Sequence, residues 1–70
     1  MKRKHVSSSN ICSIGYESES LTLEIEFNTG SIYQYYAVPA YEHDSLMAAS
    51  SHGSYFSQHI KDRYRWRKMK

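Results

Sequence analysis

The sequence predicts an α+β domain: a three-stranded antiparallel meander followed by two short helices packed on one face, in the order βββαα. Three observations predict it. Residues 10–38 alternate apolar and polar side chains around two turn signals. Residues 41–64 carry apolar side chains at helical spacing. All nine Lys and Arg residues lie outside that alternating region, at the two ends of the chain. Strands before helices argue for helices covering one side of an antiparallel sheet.

The first strand is expected over Asn10 to Glu17, ending in the polar turn Glu17-Ser18-Glu19-Ser20. The second runs from Leu21 to Phe27. Leu21, Leu23, Ile25 and Phe27 share one face, with Thr22, Glu24 and Glu26 on the other. Asn28-Thr29-Gly30 suits a three-residue hairpin loop in which Gly30 takes a positive φ. The third strand spans Ser31 to Val38. The loop length sets Phe27 opposite Ser31, Ile25 opposite Tyr33 and Leu23 opposite Tyr35, so Tyr33 and Tyr35 join the apolar face. The first hairpin is expected to pair Tyr16 with Leu21, Ile14 with Leu23 and Cys12 with Ile25.

Pro39 opens a helix over Tyr41 to Ala49, with Leu46 and Ala49 buried beside Tyr41 or the stem of Glu42. Gly53 is placed to close that helix and Ser54 to cap the next, where Phe56, Ile60 and Tyr64 form the apolar face. The organisation expected is a disordered basic arm over residues 1–5, a folded body over 6–64 and a basic aromatic tail over 65–70.

The ordered series Ser8-Ser9-Asn10-Ile11, Ile14-Gly15-Tyr16, Gly30, Tyr33-Gln34-Tyr35, Val38-Pro39, Leu46, Ala49, Ser51, Gly53, Phe56, Ile60 and Tyr64 resembles the KTSC domain. That family takes its name from the C-terminal domain of some lysyl-tRNA synthetases. The resemblance covers residues 6–64 and implies a small module found both as a synthetase appendage and as a stand-alone bacterial protein. It implies RNA as a partner only through the company the family keeps. Glu42 and His43 depart from the pattern, standing where an apolar residue and an aromatic one are expected.

The charges bear on function. Lys2, Arg3 and Lys4 stand at the front, and Lys61, Arg63, Arg65, Arg67, Lys68 and Lys70 at the back. Between them lie only carboxylates: Glu17, Glu19, Glu24, Glu26, Glu42 and Asp44. Cationic ends around an acidic body suit an anionic partner. Cations alternate with aromatics over Tyr64 to Lys70, which suits phosphate neutralisation with base stacking.

The expected function is therefore a non-enzymatic nucleic-acid-binding module, RNA before DNA. Its contacts are Arg65, Trp66, Arg67, Lys68 and Lys61, with Lys2, Arg3 and Lys4 assisting. Tyr36, on the outer sheet face, is a stacking candidate, although Glu24 and Glu26 beside it repel phosphate. The alternative is a protein-interaction or self-association module using the Tyr-rich sheet or the groove beneath the helices.

No nucleophile–base set can be assembled, since the register buries Cys12. The scattered His5, His43, His52 and His59 match no zinc spacing, so neither metal nor cofactor is expected, nor a small-molecule substrate. The single Cys and the absence of an apolar run after the basic start predict a cytoplasmic protein with no membrane partner.

Overall fold

A computed structural model describes residues 1–70. Two helices lie against one face of an antiparallel sheet, as expected, but the sheet has five strands, not three. They are β1 (Arg3–His5), β2 (Ile11–Glu17), β3 (Thr22–Phe27), β4 (Ile32–Tyr35) and β5 (Trp66–Lys68). The helices α1 (Ala40–Ala48) and α2 (His52–His59) fall between β4 and β5. Spatial order follows chain order, β1-β2-β3-β4-β5, so the two chain ends form the two sheet edges.

The expected disordered arm is thus β1, and the expected tail contains β5. Neither strand has an apolar alternation of its own. Each is held by main-chain pairing to its neighbour, β1 to β2 and β5 to β4, and not by an apolar face of its own. Gly15 admits β1: a Cβ there would sit 2.8 Å from both Arg3 Cγ and the Lys2 carbonyl oxygen.

The β3–β4 register is the expected one, with Ile25 opposite Tyr33 and Leu23 opposite Tyr35. Gly30 turns the hairpin at φ 95°. The β2–β3 register differs by two residues: Ile14 faces Ile25 and Tyr16 faces Leu23. Leu21 is the reason at one end. It adopts φ 55° in the turn and is 41% exposed instead of lining the core. A bulge between Ile11 and Ser13 is the reason at the other. The extra residue rotates Ile11 into the core and Cys12 out of it, so Cys12 is half-buried and not opposite Ile25. A two-residue slip preserves side-chain parity, which is why Ile14 still faces inward.

The core joins Ile11, Ile14, Leu23, Ile25, Tyr35 and Val38 to Leu46, Phe56 and Ile60 from the helical layer. Gly53 does not end α1; it lies in the first turn of α2. The cap of α2 is Ser51, whose hydroxyl accepts from the Ser54 N–H at 3.2 Å. The helix ends at His59, so Tyr64 reaches the core from the irregular segment beyond it.

Tyr41 does not pack beside Leu46; Glu42 does, at 4% exposure. Its carboxylate accepts hydrogen bonds from the Tyr55 and Tyr64 hydroxyls. His43 fills the aromatic role from its own position, stacking on Tyr16 with ring centroids 4.9 Å apart.

Candidate nucleic-acid interface

Strand pleating divides the basic tail between two faces. Trp66 pairs with Tyr35, Arg67 with Gln34 and Lys68 with Tyr33. Trp66 and Lys68 therefore project on the helix side, and Arg65 and Arg67 on the outer side.

On the helix side, Trp66 lies over Tyr33 with centroids 5.4 Å apart. The Tyr33 ring in turn meets Phe27 edge-on at 5.6 Å and Tyr35 at 6.4 Å. These rings and Phe56 form the apolar part of a groove of about 620 Å³ between the β3–β4–β5 sheet and α2. Ser57 of α2 and, from the turn that follows it, Lys61 and Asp62 line the opposite wall, and Asn10 also borders the groove. Tyr35 and Phe56 are buried floor, Tyr33 is half-buried, and Trp66 is 56% exposed. Tyr33 thus packs against the core, as the register predicts, and also lines the groove.

The outer face is organised by Arg3. Its guanidinium pairs with the Glu24 carboxylate, lies 3.7 Å from Glu26 and donates to the Ser13 hydroxyl at 2.8 Å. Ser13 donates onward to Glu26, and Gln34 donates to Glu24, each at 2.8 Å. Burial alone would raise the Glu24 carboxyl, but hydrogen bonds from Gln34 and Arg3 and the Arg3 charge bring it below the usual range. The Ser13 hydrogen bond, with Arg3 nearby, lowers Glu26 despite some desolvation.

Arg3 is therefore the one cation of the expected contact set that is engaged inside the fold. Lys2, Lys4, Lys61, Arg65, Arg67 and Lys68 form no ion pair. Tyr36 is half-buried and donates to Gln34 at 3.1 Å. The Glu24 carboxylate near it is occupied by Arg3 and Gln34, and Arg65 and Arg67 line the cavity beside it.

The two sheet edges separate the two cationic groups. Four strand spacings of about 4.8 Å put β1 and β5 roughly 19 Å apart. Lys2 and Lys4 lie at the β1 edge, beside the Tyr16–His43 stack. They do not share a surface with Arg65 to Lys68.

The remaining reactive groups are spoken for. Cys12 has the His5 ring at 4.0 Å. Burial and the Glu26 charge push its thiol up, the reverse of what activates a nucleophile. His52 contacts the Leu46 carbonyl at 2.9 Å, and His59 stacks on Tyr55. No three His, Cys, Asp or Glu side chains converge. No helix is long and apolar enough to cross a membrane.

Two tyrosines carry a pH prediction. Burial, followed by the neighbouring Tyr33, pushes the Tyr35 hydroxyl up to about 12. Burial, with the Glu42 hydrogen bond, pushes Tyr64 up to about 12 as well. The folded state holds these protons more tightly than the unfolded chain, whose phenols titrate near 10. The stabilisation is complete below pH 10 and erodes as pH rises towards 12. A tyrosinate absorbance titration followed alongside circular dichroism should show late-ionising phenols whose release coincides with unfolding. A single transition for all seven tyrosines, with the fold intact, would contradict it.

A twisted five-stranded sheet, helices on one face and an aromatic groove beside a cationic edge define a small α+β module with a built surface site. The chain belongs to the KTSC family: the KTSC domain model matches residues 7–64. It is 44% identical to an uncharacterized protein of Stutzerimonas stutzeri over 64 residues, covering 91% of this chain and 90% of that one. It is 39% identical to the lysine–tRNA ligase of Trichormus variabilis over 54 residues, 77% of this chain but 10% of the ligase. The crystal structure of a KTSC domain protein from Yersinia pestis superposes with a TM-score of 0.96 at 42% identity, covering 99% of this chain and 97% of that one.

The groove was only partly visible in the sequence. Tyr33 and Trp66 each stand out as aromatics in the sequence, but nothing local joins residues 33 apart. A strand assignment for Trp66 to Lys68 would have found the contact, and the only hint was alternation of aromatic and basic residues.

Proposed function

We propose that this protein is a non-enzymatic module that binds nucleic acid, RNA before DNA, through the β5 edge. The observation that carries the reading is convergence. Lys61, Arg65, Arg67 and Lys68 form no ion pair; Lys61 and Lys68 lie on the same side of the sheet as an exposed Trp66 seated on Tyr33, and Arg65 and Arg67 flank it along the β5 edge from the outer face. Unneutralised cations around an exposed ring are what phosphate attraction plus base stacking requires. The lysine–tRNA ligase relatives add RNA as a natural candidate. Lys2 and Lys4 offer a second, weaker patch at the far edge, and Arg3 is not part of the contact set.

The test is RNA affinity measured by fluorescence anisotropy over a salt series. Neutralising about four phosphates of a single strand gives a slope of roughly −3 in log K against log salt. The triple variant Arg65→Gln, Arg67→Gln, Lys68→Gln should reduce that slope by roughly 2. Wild-type affinity and slope in the triple variant would refute the reading. Removing the tail outright is a poorer test, because truncation after Tyr64 also deletes β5 and opens the edge of β4.

The alternative is a protein-interaction or self-association module, and the free edge of β5 is the observation that favours it. Tyr36 N–H donates to the Arg65 carbonyl, and Met69 N–H to the Ile32 carbonyl. Alternation then turns the main-chain groups of Trp66 and Lys68 outward, where another strand can pair. Arg65, Arg67, Lys68 and Lys70 on that edge repel a second copy of it, which ranks self-association below a polyanion. Pulldown from lysate with and without nuclease separates the two readings.

A further inference from the structure

The groove beside β5 has two chemically different parts. Its floor and one wall are aromatic: Tyr33, Tyr35, Phe56 and the exposed Trp66. The opposite wall, formed by the turn after α2, carries Lys61 followed by Asp62. Lys68 projects from β5 on the same side as Trp66. Asp62 forms no ion pair, although cations surround it in sequence.

A carboxylate at this position repels a phosphate. It also accepts from the N–H groups that a nucleobase exposes when it is not base-paired. The aromatic rings favour the same occupant, because a base presents a flat π-face only when it is free of its own stack. The cations belong to the rim, where the sugar–phosphate chain would pass. A duplex satisfies the rim but not the groove, since its bases are already stacked and paired.

Building on the nucleic-acid reading above, we propose that this groove receives an unpaired base of a single-stranded nucleic acid, stacked against Trp66 and Tyr33. Lys61 and Lys68 hold the adjoining phosphates, and Asp62 accepts a hydrogen bond from the base edge. The site therefore selects single strands over duplexes. The same nucleotide chemistry occurs in RNA and DNA, and the two are compared directly in the test.

Trp66 is the only tryptophan of the chain, so indole emission reports on the groove alone. The probes are a mixed-sequence RNA of about eight nucleotides, within the usual footprint of a small single-strand binder, the same RNA annealed to its complement, and the DNA equivalent. The single strand should quench Trp66 emission and bind at least about tenfold more tightly than the duplex at equal salt. Trp66→Ala should weaken single-strand binding about tenfold, the loss of one stacked base, while Trp66→Phe restores most of it. Since Trp66 is exposed, both variants should fold, which circular dichroism checks.

Salt-dependent binding with unchanged Trp66 emission and equal affinity for the duplex would overturn this inference and leave the broader reading standing. No salt-dependent binding of any nucleic acid would overturn both. Quenching by poly-glutamate as strong as that by RNA would make the groove a general polyanion or protein site, and would also overturn it. Stronger quenching by DNA than by RNA supports the single-strand assignment and reverses the order of the two sugars.

Discussion

Replacing Glu42 by Ala should destabilise the protein by about 2–3 kcal/mol, although no cation pairs with this carboxylate. Glu42 is 4% exposed and is the shared acceptor for the Tyr55 and Tyr64 hydroxyls. Those three residues join α1, α2 and the segment that leads into β5. Truncation removes two charge-assisted hydrogen bonds and leaves two partly buried phenols without an acceptor, which is the more costly half of the change. A chain of 70 residues has roughly 4–10 kcal/mol to lose. The melting temperature should accordingly fall by roughly 10–20 °C.

The chemistry of the cluster sets two controls. Glu42→Gln keeps one acceptor oxygen and should cost roughly half as much. The combination Glu42→Leu, Tyr55→Phe, Tyr64→Phe removes the acceptor together with both donors. Nothing polar is then stranded, and urea denaturation should find most of the stability restored. A Glu42→Ala protein within about 0.5 kcal/mol of the parent, the usual range for an ordinary surface change, would show that water satisfies the phenols and that the cluster holds nothing together.

Gly15→Ala should cost about 1–3 kcal/mol, by lifting β1 off the sheet. The added methyl would meet Arg3 Cγ, which can move, and the Lys2 carbonyl oxygen, which cannot without shifting the strand, both at 2.8 Å. Moving β1 draws Arg3 away from Glu24, which is 7% exposed and keeps only Gln34 as a hydrogen-bonding partner outside the strand. An unpaired carboxylate in that position is the larger part of the loss.

Arg3→Ala should therefore resemble Gly15→Ala, and the double variant should lose clearly less than the sum of the two. The same pair gives an acid signature. Glu24 and Glu26 are lowered in the folded state, so their stabilisation is present above the ordinary carboxyl value of 4.5 and disappears as pH falls below it. Arg3→Ala should flatten that acid limb. Strictly additive losses, with the acid limb unchanged, would mean that β1 and the carboxylates are not coupled.

The parts legible in the sequence are those fixed by neighbours along the chain. The β3–β4 hairpin is one: a three-residue loop with Gly30 leaves a single register that keeps Leu23, Ile25, Tyr33 and Tyr35 together. The helices are another in part: Phe56 and Ile60, four residues apart, share the core side, and Leu46 meets them from α1, but the boundary between the two helices lies before Gly53 and not at it. The β2–β3 pairing was legible only to the correct face, because the Leu21 turn and the bulge at Cys12 are decided by how the finished strands meet. The site was half legible: the faces of Tyr33, Tyr35 and Tyr36 follow from the hairpin register, but the residues of the tail were recognisable only as cations and an aromatic, not by the face each takes.

By its sequence alone the chain determined an antiparallel sheet with two helices on one side, its central register, and an acidic body between basic ends. Only the tertiary structure decided that the basic ends are strands, that Arg3 turns inward to Glu24, that Glu42 is buried between two tyrosines, and that Trp66 rests on Tyr33. The physical reason is the same in each case. Arg3 to His5 and Trp66 to Lys68 have no hydrophobic pattern with which to announce a strand. They are ordered by main-chain groups and side chains that folding exposes elsewhere in the chain, and those partners do not exist until the rest of the sheet has formed.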